Sequence, residues 1–254
     1  MHAAGGAAAV LIFFDIDATL ITTSRSGVQA MEDAGRELFA PAFSVDGVEF
    51  AGRLDPLILV DLLRANGVEP TAAAVARFRD GYRRRLSHRL EDRSKCRALP
   101  GVMDLLGALR QGHTNSPARP HLALLTGNFA DTGSAKLRAC GIEPDWFSVR
   151  VWGDDSPHPV PCRDHLPGVG LERYAALTGR HLAGAEAVVI GDTPHDVACA
   201  RAHGCRSLAV GTGSFSVEEL RRAGADWAVP DLSDTRAVLE WLVGGGSGGS
   251  AQRR

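Results

Sequence analysis

The feature that most constrains the fold of this chain is a repeated alternation of short apolar runs with longer amphipathic stretches. The apolar runs, rich in β-branched residues, cover residues 10–14, 122–125, 149–152, 188–190, 208–210 and 227–229. Stretches of helical length between them cover residues 131–140, 166–178, 196–203 and 217–223. Strands that alternate with helices form a parallel sheet with crossover helices. The sequence therefore predicts an α/β fold.

One segment, residues 22–99, departs from this alternation, because it contains no convincing buried strand. The pattern within it predicts helices at residues 27–39, 56–66 and 71–90. At the start of the second helix we expect Asp55 as the N-cap, followed by Pro56 at the first helical position. The segment therefore reads as a helical insertion.

We accordingly expect two domains and a tail. The α/β core takes residues 1–21 and 100–243, and the helical insertion takes residues 22–99. Residues 244–254 begin with a glycine and serine run that is too poor in apolar groups to offset the entropy of ordering. This end of the chain is predicted to be a flexible tail.

Charge, hydropathy and cysteine content exclude several classes of function. There are 28 Lys and Arg against 30 Asp and Glu, so the formal net charge of −2 favours neither nucleic acid nor an anionic membrane as a partner. No run approaches the ~18 apolar residues that are needed to span a bilayer. Five cysteines without a CxxC pair argue against a disulfide framework or a zinc ribbon and favour a cytoplasmic location. Function must then lie in a local site, and the oligomeric state stays open.

Two carboxylates, Asp15 and Asp17, close the first apolar run. Residues i and i+2 of a strand face the same side, so both can point into one crevice at the carboxyl edge of the sheet. At 4 Å two such charges repel by roughly 4 kcal/mol with an effective dielectric constant of 20, and a cation or a proton between them relieves this. Taken alone, the pair also fits a turn at Asp15 and a helix N-cap at Asp17.

Two further strand ends carry polar groups. Residues 122–125 lead into residues 126–128 (TGN), where a hydroxyl and backbone donors suit phosphate oxygens. Residues 188–190 lead into the segment GDTPHD, which places Asp192 at a strand tip and Asp196 in the first turn of the next helix. Three strand ends thus offer DxDxT, T and GDxxxD in chain order.

In this combination the chain resembles the haloacid-dehalogenase-like hydrolases, over about residues 10–243. The GDTPHD segment, together with the GR-D pattern at residues 52–55, looks most like the phosphoglycolate-phosphatase-like branch. The resemblance implies a Rossmann-like parallel sheet core with helices on both faces. It also identifies the helical insertion as an α-helical cap domain that closes over the active site.

The resemblance assigns a role to each matching residue. Asp15 matches the nucleophile that forms an aspartyl-phosphate. Asp17 matches the acid that protonates the leaving alkoxide and later activates water. Thr126 matches the hydroxyl that holds the transferring phosphoryl group, and Gly127 and Asn128 are expected to bind the substrate beside it.

A magnesium site is implied in the same way. The metal ligands match the Asp15 carboxylate, the Asp17 backbone carbonyl and Asp192, while Asp196 matches a ligand or a support behind the ligands. A carboxylate that attacks a phosphate dianion is an anion approaching an anion. Mg²⁺ with oxygen ligands screens that repulsion and aligns the phosphoryl group.

Three positions depart from the family pattern or leave alternatives open. The family's third motif supplies a Lys, for which Arg163 is favoured here because it precedes the helix at residues 166–178, and Lys136 is the alternative. Ala18 stands where the family usually has Gly, which costs of the order of 1 kcal/mol if φ is positive there. Arg53 in the cap can either reach a substrate anion or pair with a neighbouring acid.

These residues predict a Mg²⁺-dependent phosphatase that hydrolyses a small-molecule phosphate monoester, phosphoglycolate-like or another phosphometabolite. A phosphomutase of the same fold would use the same Asp15 and Asp17 pair. A non-catalytic ligand-binding relative would fit Ala18 and the uncertain third motif. A 2-haloacid dehalogenase is disfavoured, because its chemistry needs neither Asp17 nor an acid such as Asp192.

Overall fold

The computed structural model describes residues 10–112 and 119–243, so the predicted tail at residues 244–254 lies outside the described residues. The strands are β1 (Leu11–Phe14), β2 (Ile21–Thr22), β3 (Arg97–Ala98), β4 (His121–Leu125), β5 (Val149–Val151), β6 (Ala187–Gly191), β7 (Arg206–Val210) and β8 (Trp227–Val229). The α-helices are α1 (Ser26–Leu38), α2 (Asp55–Ala65), α3 (Ala72–Arg89), α4 (Val102–Gln111), α5 (Ala130–Ala139), α6 (Leu166–Thr178), α7 (Pro194–Ala202), α8 (Val217–Arg222) and α9 (Thr235–Val243). Short 3₁₀ helices cover Arg93–Lys95, Pro144–Trp146, Arg163–His165 and Gly184–Glu186. None of the helices in these ranges is long and apolar enough to cross a membrane.

The main sheet has six strands in the order β5-β4-β1-β6-β7-β8, and every pair is parallel. β1 is central, with Phe14 level with Leu124 of β4 and Ile190 of β6. Parallel strands present their carboxyl ends at one edge, so the loops after β1, β4 and β6 meet there. These are the three loops that carry the candidate motifs, and the predicted α/β fold is confirmed.

Both faces of the sheet are covered by helices. All four residues of β1 are buried, and they alternate between the faces. Ile12 and Phe14 pack in one apolar cluster with residues of α4 and α9, while Leu11 and Phe13 pack in another with residues of α6 and α7. Strands that are buried on both faces read as continuous apolar runs, which is why the sequence pattern located them.

The helical insertion builds a third apolar cluster, to which Phe129 and Ala139 of the α/β core also contribute. Helices α1, α2 and α3 contribute buried side chains such as Met31, Leu59 and Phe78 to this third cluster, and their ends lie within a residue or so of the predicted ones. Where the chain enters and leaves the insertion, β2 pairs antiparallel with β3. The sequence did not predict this pairing, because strands of two residues show no periodicity. The domain division at residues 22 and 99 stays a prediction.

Two helices and one helix start differ from the prediction. Helices α4 and α9 were not predicted, although each buries an apolar stripe against the sheet. Asp55 is the first residue of α2 rather than its N-cap, and the N-cap is Leu54, with no side-chain capping bond. The predicted cap was wrong because Asp55 is buried and engaged with the core instead.

The loop after β1 allows a test of backbone strain. Ala18 has a φ of 58°, in the left-handed region that costs a residue with a Cβ roughly 1–2 kcal/mol. Ala18→Gly removes this strain but adds roughly 0.5–1 kcal/mol of backbone entropy to the unfolded chain. We expect the free energy of unfolding in urea to rise by about 0.5–1 kcal/mol, the difference between these terms. Ala108→Gly, a matched control inside α4, should lower it by about 1 kcal/mol.

An equal loss of stability in the two variants would contradict strain at residue 18. The urea dependence of the unfolding free energy should be the same in both variants, so that the midpoints can be compared directly.

Candidate active site

A cavity of about 260 Å³ opens at the carboxyl edge of the sheet, beneath helices α1 and α2. The predicted site residues that line it are Asp15, Asp17, Arg53, Thr126, Gly127, Asn128, Arg163 and Asp192. Asp196 is buried and contacts Arg163, which lines the cavity. The alternative cation Lys136 lines the cavity as well. The fold thus brings all the predicted residues and both candidate cations to one place.

Three buried carboxylates gather at the centre of this edge. Asp15, Asp192 and Asp196 each place one carboxylate oxygen so that the three oxygens lie within 4.8 Å of one another. Arg163 partly balances them, since its Nη2 lies 3.2 Å from Asp15 Oδ1 and donates a hydrogen bond to Asp196 Oδ1. Three acids face one guanidinium, so the cluster keeps an excess of negative charge.

Burial, more than the neighbouring charges, raises the pKa values of two acids in this cluster. Burial raises the pKa of Asp15 to about 6, although the Arg163 guanidinium acts in the opposite direction. Burial, followed by the charges of Asp196 and Asp15, raises the pKa of Asp192 to about 8. A carboxylate with a raised pKa in a crowd of acids gains most from a bound cation. Oxygen ligands of this kind suit Mg²⁺.

Asp196 differs from the other two acids, because both of its oxygens are already engaged. Oδ1 accepts from Arg163, and Oδ2 accepts from the Thr193 backbone N–H at 3.0 Å and the Thr193 hydroxyl at 2.7 Å. Thr193 in turn caps α7 by accepting a hydrogen bond from the Asp196 N–H. Asp196 is therefore placed to fix Arg163 and the start of α7, behind the two acids that face the cavity.

A second polar cluster surrounds Asp17. Lys136 Nζ donates to Asp17 Oδ2 and to Asn128 Oδ1, both at 2.6 Å. Asn128 Nδ2 donates to the same Asp17 oxygen and to Thr126 Oγ1, both at 2.9 Å. Burial alone would lower the pKa of Lys136, but the Asp17 carboxylate raises it above its usual value, so the ammonium group stays charged. These contacts hold Asp17 in one orientation.

The loop that carries Arg53 packs directly on the core. Gly127 has no side chain at this contact, and a Cβ there would lie 2.0 Å from the Arg53 carbonyl oxygen. Arg53 lines the cavity, yet its guanidinium pairs with Asp61 at 2.7 Å. Of the two alternatives for Arg53, the structure therefore displays the pairing with a neighbouring acid.

Sequence reasoning missed Asp55 as a residue of this site. Its backbone N–H donates to the Gly127 carbonyl at 2.7 Å, and its Oδ2 accepts from the Phe129 N–H at 3.4 Å. Burial raises the pKa of this carboxyl to about 7. An acid ahead of a proline reads as a helix cap, and no local signal reveals that it is buried against another segment.

Comparison with known proteins agrees with the geometry. Residues 167–235 match a family model described as HAD-hydrolase-like. The chain is 28% identical over 231 residues to a phosphoglycolate phosphatase of Pectobacterium atrosepticum, covering 89% of this chain and 90% of that protein. It is 27% identical over 242 residues to the probable phosphatase IndB of Dickeya dadantii, covering 92% and 94%. The solved structure of CbbY from Rhodobacter sphaeroides in complex with phosphate superposes with a TM-score of 0.69 at 18% identity, covering 89% of this chain and 96% of that one.

A parallel sheet with acids at its carboxyl edge and phosphatase relatives along most of the chain define this protein as a phosphatase. The matching family model and the sequence relatives support the haloacid-dehalogenase-like superfamily, in its phosphoglycolate-phosphatase-like branch. The family resemblance that the motifs predicted is therefore confirmed.

The raised pKa of the buried Asp55 predicts how the stability of the protein depends on pH. Its pKa is raised from 3.8 to about 7, so between these values the folded protein holds a proton that the unfolded chain has released. Stability from this group is present at low pH and falls as pH rises through about 7. In Asp55→Asn the contribution is absent, so we expect its unfolding free energy to decline less between pH 5 and pH 8 than that of the wild type. Urea titrations at each pH measure this.

The exposed Asp104 provides the control, since Asp104→Asn should leave the wild-type pH dependence unchanged. Parallel pH curves for the wild type and Asp55→Asn would contradict a raised pKa at Asp55.

Proposed function

We propose that this phosphatase is Mg²⁺-dependent and hydrolyses a small phosphate monoester, such as a phosphoglycolate-like metabolite, through an aspartyl-phosphate on Asp15. The observation that carries the proposal is the cluster of Asp15, Asp192 and Asp196 around Arg163 at the carboxyl edge of the sheet. Relatives named phosphoglycolate phosphatase support the substrate class. The small volume of the cavity also favours a small ester.

The donor set fits a magnesium ion. The carboxylates of Asp15 and Asp192 lie within reach of one cation, which would offset the cost of burying their charges. With both oxygens of Asp196 engaged, we assign the ligands as the two carboxylates and the Asp17 backbone carbonyl. Bound there, Mg²⁺ would screen the repulsion between Asp15 and the phosphate dianion.

Asp15 is placed to act as the nucleophile. Its carboxylate lines the cavity, and Arg163 holds Oδ1 at 3.2 Å. We infer that a carboxylate oxygen of Asp15 attacks phosphorus, the P–O bond to the leaving group breaks, and a phosphoryl group remains on Asp15. Water then attacks phosphorus and releases inorganic phosphate, which regenerates the carboxylate.

Asp17 is placed to move the protons of both steps. Its Oδ2 is held by Lys136 and Asn128, while no described residue donates a hydrogen bond to its Oδ1. We infer that Oδ1 gives a proton to the leaving oxygen and later takes one from the attacking water. Thr126 lines the cavity beside Asn128, which donates a hydrogen bond to its hydroxyl oxygen. From there the Thr126 hydroxyl can hold a phosphoryl oxygen.

Each of the two candidate cations for the third motif contacts a different acid. Arg163 contacts the nucleophile Asp15, whereas Lys136 contacts the acid Asp17. We therefore keep Arg163 as the third-motif cation that counters the charge of the nucleophile and the phosphate. Lys136 is assigned to orienting Asp17.

The nucleophile assignment leads to a direct test. Asp15→Asn keeps the shape of the side chain but removes its negative charge, so turnover of p-nitrophenyl phosphate with Mg²⁺ should fall at least ~1000-fold. EDTA should abolish wild-type activity in the same assay. Asp104→Asn, on the surface of α4, is the matched control and should keep full activity.

Wild-type turnover in Asp15→Asn, or turnover that survives EDTA, would contradict the proposal. A phosphomutase would return the phosphoryl group to the organic product, so release of inorganic phosphate in step with substrate loss separates the two activities.

The different partners of Arg163 and Lys136 give a second prediction. Arg163→Ala should lower kcat/KM at least ~100-fold, because the charge beside Asp15 is lost. Arg163→Lys should keep part of the activity, since the charge remains although the planar fork does not. Steady-state kinetics with saturating Mg²⁺ measures both. A nearly wild-type Arg163→Ala together with an inactive Lys136→Ala would place the third motif at Lys136.

A further inference from the structure

The loop after β7, residues 211–216, is a fourth loop at the carboxyl edge of the sheet, because β7 lies parallel to β6. In the register of this pair Gly191 is level with Ala209, so the loop begins close to Asp192. Its last residue, Ser216, caps α8 and anchors the far end of the loop. The proposed chemistry uses no residue of this loop, although the loop contacts two of the segments that carry the assigned metal ligands.

Gly213 of this loop lies against the carboxylate of Asp192. A Cβ on Gly213 would lie 1.8 Å from Asp192 Oδ2 and 2.8 Å from its Cγ, far inside van der Waals contact. The other oxygen of the carboxylate, Oδ1, accepts a hydrogen bond from the Thr19 hydroxyl at 3.2 Å. The glycine and the hydroxyl therefore confine a carboxylate that is assigned to the metal.

The backbone conformation does not explain the glycine at position 213. The φ of Gly213 lies outside the left-handed region that favours glycine. Gly213 is also exposed, so an added methyl group would not disturb the apolar core. The atom that a Cβ would meet is the far end of the Asp192 side chain, which can rotate away. A larger residue is therefore expected to displace Asp192 rather than to unfold the loop.

Thr212, the preceding residue, holds the loop after β1. Its hydroxyl donates a hydrogen bond to the Ala18 carbonyl. The N–H of Ala18 belongs to the same peptide group as the Asp17 carbonyl, and it donates to the Ile21 carbonyl at 2.8 Å. Ala18 is thus anchored on both sides, although its φ of 58° is unfavourable for alanine. These bonds orient the Asp17 carbonyl, which is the third assigned metal ligand.

We propose that the loop after β7 positions the ligands of the metal site and so sets the affinity for Mg²⁺. Gly213 fixes the Asp192 carboxylate. Thr212 fixes Ala18 and, through it, the Asp17 carbonyl. The inference rests on the proposed function and adds two positioning residues to it. Groups that orient metal ligands from behind typically change metal affinity by roughly 10–100-fold when they are altered.

Gly213→Ala tests the contact with Asp192. Calorimetric titration of the metal-free protein with Mg²⁺ should show an affinity at least ~10-fold lower than that of the wild type. The melting temperature in EDTA should change little, because a rotated carboxylate leaves the core intact. The matched control is Gly107→Ala in α4, where a Cβ would meet nothing within 4 Å. This control should bind Mg²⁺ as the wild type does.

Two substitutions test the hydroxyl of Thr212. Thr212→Val keeps the shape but removes the donor, so the affinity for Mg²⁺ should fall by ~10-fold. Thr212→Ser keeps the donor and should restore most of the affinity. The matched control is Thr178→Val in α6, which removes a hydroxyl that donates to the Tyr174 carbonyl at 2.9 Å, away from the cavity. Its affinity for Mg²⁺ should be that of the wild type.

Turnover gives a second readout of the same effect. In the assay with p-nitrophenyl phosphate, Gly213→Ala and Thr212→Val should need more Mg²⁺ for half-maximal activity than the wild type. At saturating Mg²⁺ both variants should recover most of the wild-type kcat, since the residues that react with the ester are unchanged.

Unchanged Mg²⁺ affinity in either Gly213→Ala or Thr212→Val would overturn the positioning role of that residue. Equal losses in Thr212→Ser and Thr212→Val would overturn the role of the hydroxyl, and a markedly lower melting temperature of Gly213→Ala in EDTA would show that the glycine serves the fold. If the variants weaken Mg²⁺ binding but the wild type hydrolyses no ester, the proposed function fails and the positioning role stands. A wild type that binds no Mg²⁺ would overturn both.

Discussion

The ion pairs that Arg163 forms with Asp15 and Asp196 are the contacts on which this site depends. The parallel sheet brings the loops after β1 and β6 to one edge, which forces their acids together in a buried place. A single guanidinium lowers the cost of that arrangement without cancelling it. In the proposed mechanism, a bound Mg²⁺ would offset the remaining excess of negative charge and so allow Asp15 to approach a phosphate dianion.

The helical insertion packs closely against the carboxyl edge of the sheet. Gly127 lets the loop that carries Arg53 lie on the core, and Asp55 then bonds to the loop after β4 through its backbone and its carboxyl group. The same contact carries α1 and Tyr82 over the cavity. The residues of the proposed chemistry therefore lie at the sheet edge, and helices of the insertion cover the cavity above them.

Much of this arrangement could be predicted from the sequence, and the exceptions share a cause. The apolar runs and the residues just after them located the strands and also Asp15, Thr126 and Asp192, because a buried parallel strand imposes a local pattern. The roles of Arg163 and Lys136 could not be separated, since both depend on which distant acid each one meets. Tyr82 and Asp55 gave no signal for the same reason, as their burial is decided by packing between segments far apart in the chain.

In the proposed mechanism the phosphoryl group passes through Asp15. The most direct test is to mix excess enzyme and Mg²⁺ with a ³²P-labelled ester that it hydrolyses, quench the reaction in acid within the first turnover, and map the labelled peptide. We expect an acid-stable, hydroxylamine-sensitive label on the peptide that contains Asp15, and this label should disappear as inorganic phosphate forms. Turnover without any labelled peptide, or a label on another residue, would contradict it.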